Sequence, residues 1–210
     1  MKIQYIYIYI YPTGRRDGIP CPAQCLKPSH QVTEKSVRLI DCLSKNLLDS
    51  WEAPASTGIS IAAINPSQVL VATRGANLVY FELKNRKIVL VKHVKLDHEI
   101  ACLDIRPLEN DSQTTFICAV GLWDITLRIL SLPNLQQLSK EDLGGEFLPR
   151  SVLFANFADG NYVLCGLGNG YLYSFNFEYV SGQEETFLSI PIYLPRKGEK
   201  KISFFPSSPE

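Results

Sequence analysis

Histidine is the side chain most suited to proton transfer near neutral pH, and the chain has three: His30, His93 and His98. His30 falls in an N-terminal head, His93 in a stretch that reads as an outer strand, and His98 in the short turn Asp97-His98-Glu99. Nothing in this spacing brings a base to a nucleophile. Two carboxylate pairs, Asp97 with Glu99 and Glu141 with Asp142, could share acid and base roles, but both read as loop residues with no companion base or ligand set. Cys21-x3-Cys25 has loose zinc-like spacing. No second close pair follows, and His30 alone cannot complete a tetrahedral site. Cys102, Cys118 and Cys165 sit inside apolar runs and read as buried thiols of a reducing compartment. The glycines of Gly166-Leu-Gly168-Asn-Gly170 suggest a phosphate loop, but they run into a strand instead of opening a helix. Asn-Gly there reads as a hairpin turn. These readings leave no catalytic residue, no metal site and no cofactor, and the chain is expected not to be an enzyme.

Composition narrows the partners. Lys plus Arg and Asp plus Glu number 21 each in 210 residues, so no basic footprint exists for a phosphate backbone or an anionic membrane. DNA is expected to be met only indirectly, through a partner. A hydrophobic content of 46% fits a soluble globular chain with a sizeable core. Tyr5 to Tyr11 alternates Tyr and Ile strictly, as a translated T-A tract would, and is too short to span a bilayer. Residues 1–30 are therefore set apart as a non-homologous head, disordered or a gene-model artefact.

From residue 31 onward, β-branched and aromatic runs of five to eight residues alternate with turn residues, and no helical period emerges. The runs repeat. Ile59-Ser-Ile-Ala-Ala-Ile-Asn-Pro66 recurs 41 residues later as Ile100-Ala-Cys-Leu-Asp-Ile-Arg-Pro107, and more loosely as Ser151 to Phe157. Each is followed by a second strand ending in Gly75, Gly121 or Gly168, spaced 46 and 47 residues apart. Third strands follow at Leu78 to Leu83, Ile125 to Leu130 and Tyr171 to Phe177, and fourth strands at Ile88 to Val94 and Leu135 to Lys140. Gln31 to Asp41 and Leu47 to Glu52 read as outer strands of a preceding unit. A four-stranded unit with this period predicts an all-β fold, an incomplete β-propeller of two full blades plus partial ones. Exposed strand edges should make the isolated chain poorly soluble.

Antiparallel alternation puts each second-to-third loop on the same rim as each inter-blade loop. Arg74 to Asn77, Leu122 to Asp124, Asn169 to Gly170, Asp97 to Glu99 and Gly144 to Glu146 should thus crowd one face. Trp123, with Glu99, His98 and Asp124 as neighbours, has the composition of an interface anchor ringed by polar groups. The alternative is that Trp123 packs under its own loop and Glu99 is a solvated turn residue.

The same words carry a family resemblance. Asp97-His-Glu-Ile-Ala-Cys-Leu-Asp-Ile105, Cys118-Ala-Val-Gly-Leu-Trp123, Arg128-Ile-Leu-Ser-Leu-Pro133 and Leu143-Gly-Gly-Glu-Phe-Leu-Pro-Arg-Ser-Val152 are similar to a stretch of the large UV-damaged DNA-binding adaptors of cullin-4 ubiquitin ligases. The cleavage and polyadenylation specificity factor A and splicing-factor relatives share that three-propeller family. The resemblance covers residues 31–183 and is to the second propeller; residues 184–210 read as a divergent tail, one strand and then disorder. It implies a non-enzymatic scaffold of the nucleus and cytoplasm in ubiquitin ligation and DNA repair. Its partners would be the cullin-4 N-terminal helices and, through other propellers of the parent, WD40-type substrate receptors, with no membrane. The alternative within the family is a subunit of an mRNA cleavage, polyadenylation or splicing complex. By motif, Glu99 and Trp123 would lie on the cullin-facing rim. One departure stands out: the family carries an extra residue between Trp and Asp, and the shorter Trp123-Asp124-Ile125 loop opens an inward orientation for the indole. The head and tail together are expected to mark a truncated or mis-spliced gene model.

Overall fold

A computed structural model describes residues 29–41, 43–107, 113–157 and 160–177. The Tyr-Ile head, Cys21, Cys25, Cys42 and the tail from 184 lie outside the described residues.

Among the described residues, fourteen strands form four antiparallel sheets in chain order. The first sheet is β1 (Ser29–Val32), β2 (Ser36–Ile40) and β3 (Leu47–Glu52). The second is β4 (Ile59–Ile64), β5 (Gln68–Thr73), β6 (Asn77–Lys84) and β7 (Lys87–Lys95). The third is β8 (Ile100–Asp104), β9 (Ile117–Leu122), β10 (Thr126–Ser131) and β11 (Gln137–Asp142). The fourth is β12 (Pro149–Phe157), β13 (Gly160–Leu167) and β14 (Leu172–Phe177). Within every sheet the strands pair in sequence order, which is the meander of a propeller blade.

Three apolar layers lie between the four sheets. Val69, Val71, Val79 and Phe81 face the first sheet with Val37 and Trp51, while their neighbours Leu70, Ala72, Leu78 and Tyr80 face Leu103, Cys118, Val120 and Leu122 of the third. Ile117, Ala119, Leu127 and Ile129 meet Val152, Phe154, Val163 and Cys165 of the fourth. Every residue of β5 and β9 is consequently buried. Strands covered on both faces read as unbroken apolar runs, and the outer strands β7 and β11, covered on one side only, are largely exposed. Each buried Leu, Val or Phe adds about 1.5–3 kcal/mol. Cys102, Cys118 and Cys165 are free and buried, and loss of hydration pushes the Cys102 and Cys165 thiols up to about 12, which suits packing and not reactivity.

Three sequence expectations need correction. Gln31 to Asp41 is two strands, because the Thr33 hydroxyl accepts from the backbone N–H of Lys35 and Ser36 at 3.3 and 3.0 Å and folds the chain into a turn. His30 belongs to β1 instead of the head; burial without a resolved Nε2 partner lowers it to about 4. Glu141 and Asp142 end β11 and are not loop residues, since β10 pairs with them through Leu127 and Thr126.

Candidate protein-interaction rim

The β5–β6, β9–β10 and β13–β14 hairpins lie at one end of the sheets, and one hydrogen bond recurs at each. The first loop N–H donates to the carbonyl just ahead of its own sheet's first strand: Arg74 to Gly58 at 3.1 Å, Trp123 to Glu99 at 2.9 Å, Gly168 to Leu148 at 3.0 Å. Glu99 and Trp123 are thus brought together, at the same end of the third sheet. The Glu99 carboxylate also accepts from the Gly75 N–H at 2.8 Å, tying this end to the second sheet.

Local sequence explains how the hairpin holds its indole. Gly121 lies next to last in β9, where a Cβ would come within 2.6 Å of the Cys102 sulfur and 2.9 Å of Pro149 Cβ, so only glycine lets the third and fourth sheets close there. Leu127 pairs with Gly121, which leaves a three-residue turn of Trp123, Asp124 and Ile125. Such turns place the third residue in the left-handed region, and Ile125 sits there at φ 63°, a strained setting for a β-branched residue. The strain falls on Ile125, and Trp123 remains 57% exposed instead of turning inward.

Charged groups converge on Asp124, the residue that follows Trp123. Asp124 Oδ1 accepts from the Thr126 hydroxyl at 2.6 Å and from its N–H at 3.3 Å. Its Oδ2 lies 3.4 Å from Arg128, 3.8 Å from His98 Nε2 and 4.0 Å from Lys140. Burial alone would raise this carboxyl; the Thr126 hydroxyl, then the charges of Arg128 and His98, outweigh it and hold the group below the usual carboxylate range. Arg128 reaches Asp97 at 3.2 Å as well. All four residues singled out from sequence, His98, Glu99, Trp123 and Asp124, therefore form one connected cluster. His93 is apart on β7, against Asn77 at 3.2 Å.

Sequence reasoning passed over two rim residues. Phe147, 45% exposed, follows Gly144-Gly145-Glu146 on the same end as Trp123 and adds a second aromatic to it. Its signal was an apolar residue directly after a glycine-rich inter-sheet loop. Arg128 is buried in the middle of β10, and its signal was a charge inside the apolar run Thr126 to Leu130.

Four stacked meanders with hairpin tips on a common edge can be compared with known families. The family model described as RSE1/DDB1/CPSF1 second beta-propeller matches residues 29–195. The chain belongs to that family. Similar curated relatives are DNA damage-binding protein 1 of Oryza sativa subsp. japonica, 49% identical, and DNA damage-binding proteins 1a and 1b of Arabidopsis thaliana, 46% and 44% identical. Each match covers 154 residues, 73% of this chain and 14% of the relative, so the chain spans about one seventh of the relatives' length. It is an open, partial second propeller of the RSE1/DDB1/CPSF1 kind, related to DNA damage-binding proteins.

Proposed function

We propose that this rim is the docking face of a non-enzymatic adaptor, which links cullin-4, through its N-terminal helices, to substrate receptors in ubiquitin ligation and DNA-damage repair. The observation that carries the reading is the pairing of an exposed Trp123 with Glu99 through a 2.9 Å backbone bond at one end of the third sheet. A helical partner would bury the indole in an apolar groove and meet the surrounding carboxylates with polar or cationic groups. WD40-type receptors would bind other propellers of the parent, and DNA would be reached only through them. The adaptor would work in the nucleus and cytoplasm, with no membrane role. An mRNA-processing role remains the rival within the family, but the relatives matched at 44–49% identity carry the DNA damage-binding name.

The test is capture of the cullin-4 N-terminal domain by the full-length propeller protein and by its Glu99→Ala/Trp123→Ala variant. Loss of a central aromatic anchor should cost about 2 kcal/mol or more, roughly 30-fold in affinity. Unchanged capture by the double variant would remove the site, and no capture by the unaltered protein would remove the partner.

A further inference from the structure

The buried guanidinium of Arg128 has no role in the apolar layers. Val120 and Arg128 pair across β9 and β10 on the face toward the second sheet; the corresponding pairs are Val71 with Val79 in the second sheet and Cys165 with Tyr173 in the fourth. Those two sheets fill the position with side chains that pack into the inter-sheet core. Only the third puts a charge there, with 7% of the side chain exposed and its Nε without a partner. A buried ion pair is seldom a net source of stability, and an apolar side chain of similar volume often serves as well or better. Stability therefore does not account for the arginine.

Its two contacts do. Nη1 reaches Asp97 at 3.2 Å in the loop between the second and third sheets, and Nη2 reaches Asp124 at 3.4 Å in the β9–β10 turn. Asp97 is two residues before Glu99, and Asp124 is one after Trp123. We infer that Arg128 is a positioning residue, a strut under the rim that locks the loop bearing Glu99 to the turn bearing Trp123, so that a partner meets them as one prearranged patch. The inference deepens the docking role proposed above and rests on it only for the identity of the partner. A planar guanidinium suits this position because its separate N–H groups reach both carboxylates at fixed spacing, which a lysine ammonium cannot do.

The structure supplies an internal control. Trp123 N–H donates to Glu99 beside the strut, while Arg74 N–H makes the equivalent bond to Gly58 one sheet earlier, away from it. Hydrogen exchange of the chain would be followed at both amides in Arg128→Met, Arg128→Lys and Asp97→Asn. Arg128→Met should speed exchange at Trp123 and at Gly75, whose N–H also ends on Glu99, at least tenfold, with Arg74 unchanged. Asp97→Asn weakens one leg of the strut, removing its charge while keeping an acceptor, at an exposed residue, 78% accessible, so folding is spared; it should speed Trp123 several-fold, and Arg128→Lys should fall between. Unchanged exchange at Trp123 in Arg128→Met and Asp97→Asn overturns the inference, as does an equal rise at Arg74, which would mark general loosening. The partner is tested separately: a tenfold loss of cullin-4 affinity in full-length Arg128→Met, parallel to the exchange, supports both readings. Altered exchange with no cullin binding by the unaltered protein leaves the strut standing and sinks the partner.

Discussion

The contact between the second and third sheets ends in two polar clusters of opposite character. At the end away from Trp123, Gln68 is the hub: its amide donates to the Tyr80 hydroxyl at 2.6 Å and the Thr115 carbonyl at 2.9 Å, and its oxygen accepts from Thr115 N–H at 2.7 Å and Asn65 at 2.6 Å. Asn65 also donates to the Ile105 carbonyl at 3.0 Å. This cluster is buried, its hub is neutral, and its groups satisfy one another. At the other end Arg128, Asp97, Asp124, His98 and Glu99 are charged or half-solvated, and an exposed indole stands among them. A closed network with all its partners inside the chain fastens sheets together. An open, charged one beside an uncovered aromatic has capacity left for something outside.

Substitutions should separate the two ends. The largest effect is expected from Gln68→Ala, which strands the Thr115 backbone groups and takes one of two acceptors from the Asn65 amide: about 3 kcal/mol or more of stability lost, read as the shift of a urea unfolding midpoint. Tyr80→Phe, which removes the hydroxyl that accepts from Gln68 and donates to Glu82, should cost about 2 kcal/mol. Trp123→Ala should lie within about 0.5 kcal/mol of the parent, because more than half of the residue faces solvent, while affecting partner binding most. If Trp123→Ala proved as destabilising as Gln68→Ala, the division into fastening and docking ends would fail.

Acid and alkali should also act on different ends. Tyr80 is pushed up to about 12, by burial first and then by Glu82, so the folded chain holds its proton longer than the unfolded one. Stability from this group is complete below about pH 10 and is lost as pH rises toward 12, a loss that Tyr80→Phe should abolish. Asp124 is held below the usual range, so its contribution is present above the ordinary carboxylate pKa and disappears as pH falls through its own lower value; Asp124→Asn should remove that acid dependence. Urea midpoints of parent and variants across pH check both signs. A smaller effect concerns Asp104, which burial raises although its carboxylate accepts from Phe154 N–H at 2.8 Å. Its charged form is the disfavoured one in the fold, so Asp104→Asn should keep the acceptor and leave stability near pH 7 equal or slightly higher.

Much of the fold was legible because the middle strands of the second and third sheets are covered on both faces, which demands runs such as Val69-Leu-Val-Ala and Ile117-Cys-Ala-Val that no surface strand would carry. The rim was legible for a simpler reason: alternation of direction fixes which hairpin tips share an end. What escaped depended on side chains whose roles lie across sheets. Gln68 and Arg128 drew no role from the sequence pattern, since partners of theirs lie 47 and 31 residues away. The turn at Thr33 was hidden because hydroxyl-capped turns carry no glycine or proline to mark them. Nor could the pattern tell that Ile125 would take the left-handed position and leave Trp123 facing out.

The central claim is that Glu99 and Trp123 act as one surface. Binding of the cullin-4 N-terminal domain by full-length protein carrying Glu99→Ala, Trp123→Ala, both or neither tests it most directly. The account predicts that each single change weakens binding and that the double change costs less than their sum, by a coupling of about 1 kcal/mol. Independent, additive losses, or no loss from either, would contradict it.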